Sequence, residues 1–283
     1  MYHLIKFRNG WQSEHLARFI ISKFAFIAEP SSVADDIGSD FFCTNFDIMP
    51  KGYLLPQKSF AIQIKSDKRK IDITNKLNYL QNIEFPFFVG VINKKKKLLT
   101  IYSGEAIPHF FSKYGNPLEL KNLYNNPKAN IRLVDNREKE NLFNRLPNET
   151  FEMVFYKIVD IPVDFEYDKA YLSDFYSAIQ IIQKNISAWK SDEYLFKLVG
   201  TNKIEIYTGP GSIQTYKENF INRLTEVFWN LNWIHNSINF SLDLAEFTAY
   251  ENVYKTLLDL YKDDSIPDTL IEAYNTCKKN AFS

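Results

Sequence analysis

Two polar side chains interrupt the apolar stretch Phe60-Ala-Ile-Gln-Ile-Lys65. The alternation is typical of a β-strand, with apolar side chains at the even-numbered positions on one face and Ala61, Gln63 and Lys65 on the other. Burying an unpaired lysine is costly, so we expect Lys65 to meet an acidic partner, an anion or a water-filled cleft. Asp40 is the first candidate for that partner.

Asp40 stands at the start of the apolar run Phe41–Ile48, two residues after Gly38, which permits a tight bend. An acidic residue at the mouth of a strand is well placed to hold a divalent ion. The residues that predict a loop before the next strand are Pro50, Gly52 and Pro56. We therefore expect a hairpin that carries Asp40 on one strand and Gln63 with Lys65 on the other.

An acidic side chain, Glu14, precedes these strands in a stretch that predicts an amphipathic helix over Ser13–Phe26. The residues expected on its buried side are Leu16, Phe19, Ile20 and Phe24. Glu14 would then lie in the first turn, where an acid suits the helix dipole. Alternatively, the first turn aims Glu14 at the central strands.

The elements that follow complete an α/β pattern. Helices are predicted at residues 75–83 and 106–114, and strands at residues 85–92, 98–102, 129–134 and 151–159. Strands interspersed with helices in this order indicate a central mixed sheet flanked by helices. The Lys94–Lys97 run is interpreted as a solvated hairpin turn, with phosphate binding as the alternative, and the basic cluster after Lys65 is a second candidate for phosphate binding.

Charge divides the 283-residue chain into two parts. Residues 1–148 hold 22 Lys and Arg against 14 Asp and Glu, a net charge of +8, whereas residues 149–283 hold 12 against 20, a net charge of −8. The length and this polarity favour two domains, 1–148 and 149–283. The first is suited to a polyanion, unless surface charge is segregated by chance, and the second is predicted to be mainly helical.

Composition excludes several classes of protein. Two cysteines and four histidines offer no disulfide framework and no zinc-ligand spacing. The chain begins without an apolar signal core and has no apolar run of membrane-spanning length. We therefore expect a soluble cytoplasmic protein with no membrane partner.

Glu14 on a helix, Asp40 on a strand and Gln63-Ile-Lys65 on the next strand resemble the PD-(D/E)xK restriction-endonuclease-like superfamily, in particular its Mrr-type branch. The matching segments are Ser13-Glu-His-Leu16, Asp36-Ile-Gly-Ser-Asp40 and Ile62-Gln-Ile-Lys-Ser66, with Glu84-Phe-Pro-Phe-Phe-Val89 similar to the strand after the second helix of that family. The resemblance covers about the first 105 residues. It implies a restriction-endonuclease-like core, DNA as substrate and a role in bacterial defence against foreign DNA.

The resemblance also implies Mg²⁺- or Mn²⁺-dependent hydrolysis of phosphodiester bonds. Asp40, the Ile64 backbone carbonyl and the Gln63 side-chain oxygen would bind the metal, and Glu14 would hold a second metal or a metal-bound water. Lys65 would orient or deprotonate the attacking water and stabilise the developing charge. The helical part would serve oligomerisation, a partner protein or control.

Gln63 departs from the commonest form of the superfamily, which has Glu or Asp there. A neutral amide still offers one oxygen ligand but removes a negative charge, so metal affinity should fall. Two alternatives therefore stay open beside the nuclease: a catalytically inactive module that binds nucleic acid, and an interaction protein in which Asp40 and Lys65 form only a buried ion pair.

Overall fold

A computed structural model of the chain describes residues 2–28, 38–67, 70–125, 127–136, 141–191, 195–198, 204–208, 213–235, 244–261 and 267–281. The helices are α1 (Tyr2–Ile21), α2 (Leu77–Asn82), α3 (Ala106–Tyr114), α4 (Pro117–Leu123), α5 (Ser173–Lys190), α6 (Ile213–His235), α7 (Leu244–Leu260) and α8 (Asp268–Ala281). The strands are β1 (Ala25–Ala28), β2 (Phe41–Ile48), β3 (Leu54–Lys65), β4 (Ile71–Asp72), β5 (Phe87–Asn93), β6 (Leu98–Ser103), β7 (Lys128–Val134), β8 (Phe143–Leu146), β9 (Thr150–Pro162), β10 (Leu195–Leu198) and β11 (Ile204–Thr208).

Strands β1 to β9 form one mixed sheet in the order β1-β2-β3-β5-β6-β9-β7-β4, with β8 paired to β9. The first three strands are antiparallel, and β5 lies parallel to β3. Because parallel neighbours need a crossover connection, the chain passes through α2 between β3 and β5. The predicted central mixed sheet flanked by helices is confirmed.

The alternation predicted for β3 separates two layers of core. Phe60, Ile62 and Ile64 pack with residues of α1 and α5, whereas Ala61 packs with residues of α2 and α3 on the opposite face. Full burial of an Ile or Phe side chain contributes about 1.5–3 kcal/mol, so each face of β3 is strongly specified. Gln63 and Lys65 follow Ala61 in the alternation and therefore lie on the α2 side of the sheet.

The first helix differs from its prediction. It begins at Tyr2 and ends at Ile21, so Ser13 is an interior residue with 1% of its surface exposed instead of the start of the helix. The predicted helix began at Ser13, but residues 2–12 contain no proline that would prevent a longer helix. Phe19, expected on the buried side, is 54% exposed.

Pro56 was predicted to lie in a loop and instead belongs to β3. Among the described strands, β2 alone pairs with the segment of β3 before Ser59, next to a register shift between Thr44 and Phe46. A proline is tolerated at such an edge because no second neighbour needs its missing N–H group.

The division of the chain into compact units differs from the expected boundary at residues 148/149. Residues 1–210 form one unit and residues 211–283 the other. Strand β9 begins at Thr150 and lies between β6 and β7, so the sheet of the first unit extends well past residue 148. The net charge of the sequence changes sign near residue 148, and the boundary was predicted there for that reason. Strand β9 lies in the middle of the sheet, so it belongs to the same unit as its neighbours.

The second unit consists of α6, α7 and α8, in agreement with the predicted helical C-terminal region. Its core is rich in aromatic side chains, and Tyr254 and Tyr274 stack with their ring centroids 3.9 Å apart. Among the described helices, none is long and apolar enough to cross a membrane.

Candidate functional site

Asp40 lies where β2 begins, beside the last residues of β3. Its backbone N–H donates to the Ile62 carbonyl at 3.0 Å, and β2 starts with Phe41 opposite Ile62. The next N–H of β3 on that side belongs to Ile64, and it donates to Oδ2 of Asp40 at 2.5 Å. The carboxylate therefore takes the position of the backbone acceptor that a longer β2 would supply.

This hydrogen bond also orients the backbone carbonyl of Ile64. The N–H and C=O groups of one strand residue point toward the same neighbouring strand. Since the N–H of Ile64 points to Asp40, its carbonyl lies on the Asp40 side as well. The two oxygen donors that the resemblance implies, the Asp40 carboxylate and the Ile64 carbonyl, thus share one edge of β3.

Gln63 is buried, with 5% of its surface exposed, and pairs with Val89 of β5. Among the described residues, the side-chain amide of Gln63 is not one of the buried polar atoms that lack a hydrogen bond, and no hydrogen bond is found for it, so its atoms keep some contact with solvent. Its side-chain oxygen can therefore accept from a ligand or a water.

Lys65 is half-buried at the end of β3, opposite Val91 of β5. Its pKa is lowered chiefly because burial disfavours the charged form. The charges of Asp40, Glu14 and Asp67 oppose this shift, and the charge of Lys76 adds to it. Among the opposing charges that of Asp40 has the largest effect, so the pairing of Lys65 with Asp40 stays a prediction.

Glu14 lies in the interior of α1, whose first residue is Tyr2, so the explanation of Glu14 as an acid in the first helical turn is wrong. The structure brings it close enough to act on the pKa of Lys65. However, α1 packs on the face of β3 that carries Ile62 and Ile64, whereas Lys65 belongs to the opposite face. Glu14 therefore approaches from a different layer than Gln63 and Lys65.

Three side chains around Asp40 were not singled out from the sequence. Ser39 and Tyr79 of α2 share a hydrogen bond of 2.5 Å between their hydroxyl oxygens. Gly38 adopts a φ of +110°, and the side chains of Lys76 and Tyr79 lie against it. The sequence predicts a helix at residues 75–83, which includes Lys76 and Tyr79. The spacing of residues in that helix does not indicate that these two side chains pack beside the Asp40 segment.

An open groove of about 660 Å³ adjoins the site. It begins at Ser66 and Asp67, directly after Lys65, and extends along the Lys94–Lys96 turn to Asp160. The neighbours of Asp160 in β9, Val159 and Ile161, pack on the α1 side of the sheet. Side chains alternate along a strand, so Asp160 lies on the opposite face, which is the face of Lys65. The basic residues Lys68 and Arg69 of the cluster after Lys65 lie outside the described residues.

The donor set suits Mg²⁺ or Mn²⁺ because all of its atoms are oxygens. It comprises the Asp40 carboxylate, the Ile64 carbonyl, the Gln63 amide and, from the other layer, Glu14. Among the described residues, no group of three or more His, Cys, Asp or Glu side chains is arranged to hold a metal ion. A site built on Asp40 with an amide and a carbonyl would therefore carry little negative charge and bind a divalent ion weakly.

Comparisons with protein-family models, with curated proteins and with solved structures find no significant match to this chain.

Proposed function

We propose that this chain is a Mg²⁺- or Mn²⁺-dependent endonuclease that hydrolyses phosphodiester bonds in DNA, with Asp40, Gln63, Lys65 and Glu14 as its functional residues. The observation that supports the proposal is the placement of three groups at one end of β3: Asp40 bonded to the Ile64 N–H, the amide of the nearly buried Gln63, and a lysine of lowered pKa. Strained or perturbed polar groups of this kind concentrate at functional sites.

The order of elements supports the same proposal. The chain runs from α1 through the antiparallel strands β1 to β3, and then through the short strand β4 and helix α2 to β5, which is parallel to β3. Apart from β4, this is the order that the resemblance implies for a restriction-endonuclease-like core. A role in defence against foreign DNA belongs to the proposal through that resemblance alone. The helical second unit would then serve oligomerisation, partner binding or control.

Each residue contributes by holding a ligand or moving a proton. Asp40, Gln63 and the Ile64 carbonyl would hold the divalent ion, which supplies Lewis-acid polarisation of the scissile phosphate when bound. Burial lowers the pKa of Lys65, and in the proposed mechanism its side chain would orient the attacking water or help to deprotonate it. In its charged form, the same group stabilises negative charge on the phosphate. Glu14 would orient a water or a second ion.

A second candidate function is binding of nucleic acid without cleavage. The specific observation in its favour is Gln63, which supplies no charge where a carboxylate would strengthen metal binding. Both functions need the same site, and they differ in whether the ion binds tightly enough to support hydrolysis.

Cleavage of supercoiled plasmid in Mg²⁺ or Mn²⁺ tests the proposal. Wild type should nick the plasmid, and Lys65→Ala should lose nicking while keeping its thermal unfolding transition. The matched control is Lys121→Ala, which removes an exposed lysine of α4 and should nick like wild type. A panel of DNA and RNA substrates in the same assay defines the substrate.

Retained nicking by Lys65→Ala would exclude the assigned site. Absence of nicking by wild type, together with a rise of the unfolding temperature in Mg²⁺ that Asp40→Ala loses, would favour the binding function instead.

A further inference from the structure

The Lys94–Lys97 turn between β5 and β6 is held in one conformation. The side-chain oxygen of Asn93 accepts from the backbone N–H of Lys96 at 3.1 Å. On the other side, the Lys97 carbonyl accepts from the Val163 N–H at 2.9 Å, and Lys97 itself adopts a φ of +50°. The lysine turn, as we call Lys94–Lys97, therefore presents its side chains from a fixed backbone.

The acidic side chains of the groove have internal partners. Asp135 accepts from the hydroxyl of Tyr102 at 2.9 Å. Asp160 accepts from the hydroxyl of Thr100 at 2.6 Å and pairs with Lys157 at 3.2 Å. These contacts leave the carboxylates charged. Over the groove lining, Lys94, Lys95, Lys96 and Lys157 stand against Asp67, Asp135 and Asp160, a net charge of +1.

Lys95 and Lys96 differ from these groups because both are exposed and line the groove. Their side chains make no hydrogen bond or ion pair with any described residue. Four consecutive like charges repel each other and weaken the folded state. A hairpin turn needs residues that tolerate a positive φ, and it does not need lysine, so folding alone does not account for this sequence.

We infer that the groove binds the phosphate backbone of double-stranded DNA beside the candidate site, chiefly through Lys95 and Lys96. The inference rests on the proposed function for its ligand. Val91, opposite Lys65, lies three residues before Lys94, which places the lysine turn about 10 Å farther along the strand direction. One strand of a duplex carries one phosphate per about 3.4 Å of helix axis, so a duplex lying along β5 would span the distance between Lys65 and the turn with about three phosphates.

The lining of the groove favours a duplex over a single strand. Proteins that hold single strands stack bases on aromatic side chains. Within the ranges that the structure describes, the groove is lined by no aromatic residue. Contacts from lysines to phosphates carry no sequence information, so binding in the groove is independent of sequence and sensitive to salt.

Fluorescence anisotropy with a labelled duplex, in EDTA and at several salt concentrations, tests the inference without any cleavage. Removing two phosphate contacts in Lys95→Ala/Lys96→Ala should weaken binding at least about tenfold and reduce the slope of log K against log salt by about 2. The matched control is Lys121→Ala/Lys128→Ala, which removes two exposed lysines outside the groove and should bind like wild type. Thermal unfolding should show both double variants to be folded.

Unchanged affinity and slope in Lys95→Ala/Lys96→Ala would overturn the inference, as would equal loss in the control variant. Absence of duplex binding by wild type, or tighter binding of a single strand of the same length, would overturn it too. The nicking assay reports separately on the proposed function. If duplex binding depends on Lys95 and Lys96 but wild type does not nick DNA, the inferred groove is supported and the nuclease function is rejected. If wild type nicks DNA but duplex binding does not depend on these lysines, the nuclease function is supported and the inferred groove is rejected.

Discussion

Replacing Gln63 by glutamate should strengthen the metal site that we propose. The substitution keeps the length and shape of the side chain and adds a negative charge at a position that is 5% exposed and one residue from the Ile64–Asp40 hydrogen bond. Without metal, burial and the nearby Asp40 both disfavour the ionised glutamate, so metal-free Gln63→Glu should unfold at a lower temperature than wild type. With Mg²⁺, the added carboxylate should raise affinity.

The size of the effect follows from the linkage between binding and folding. If the affinity for Mg²⁺ rises tenfold, the stabilisation at saturating Mg²⁺ grows by about 1.4 kcal/mol relative to wild type. For a unit that spans residues 1–210, such a change raises the unfolding temperature by about 3–6 °C. The metal-induced shift of Gln63→Glu should exceed that of wild type by this amount.

Thermal unfolding monitored by circular dichroism, over a titration with MgCl₂, measures both effects. The matched control is Gln57→Glu, the same substitution at an exposed position of β3, which should respond to Mg²⁺ like wild type. Equal Mg²⁺ responses of Gln63→Glu and Gln57→Glu would refute the idea that the Gln63 side chain faces a metal site.

Two further predictions concern Lys65 and a buried contact of α5. At neutral pH, Lys65→Met should be more stable than wild type, because burial lowers the pKa of Lys65 and the folded state binds fewer protons there than the unfolded state. The advantage should shrink as pH rises toward about 10.4, the unfolded value, and urea unfolding across this window that shows a constant difference would contradict it. Asn185 is fully buried, and its side chain accepts from the Phe196 N–H at 2.9 Å and donates to the Phe196 carbonyl at 2.7 Å. Asn185→Ala should lower the free energy of unfolding by about 2 kcal/mol or more in urea, whereas the exposed control Asn82→Ala should lower it less, and equal losses would contradict the assignment.

Much of the sheet was predictable because strand alternation is a local property. The strand Phe41–Ile48 was predicted within its observed bounds, as was the helix Ala106–Tyr114, and the alternation of Phe60–Lys65 correctly divided its side chains between the two faces. The start of α1 was missed because the apolar positions on which the prediction rested all lie after Ser13. The domain boundary differed because charge composition does not indicate which strands pair.

The candidate site was predictable only in part, for the same reason. Asp40, Gln63 and Lys65 were identified from their residue types and their places on two strands, and their roles in catalysis stay predictions. The contacts of Lys76 and Tyr79 with the Asp40 segment depend on how α2 packs after the β3 to β5 crossover, which no local pattern reports.

That a lysine and a glutamine share one face of a strand follows from their spacing alone, since side chains alternate along any extended backbone. The groups that surround them depend on how the strands pair. Pairing of β3 with β5 sets Lys65 opposite Val91 and thereby brings the lysine turn, which is local in sequence to neither Asp40 nor Lys65, to the same end of the sheet. Register between distant strands depends on the burial of whole faces, and that burial is a property of the folded chain.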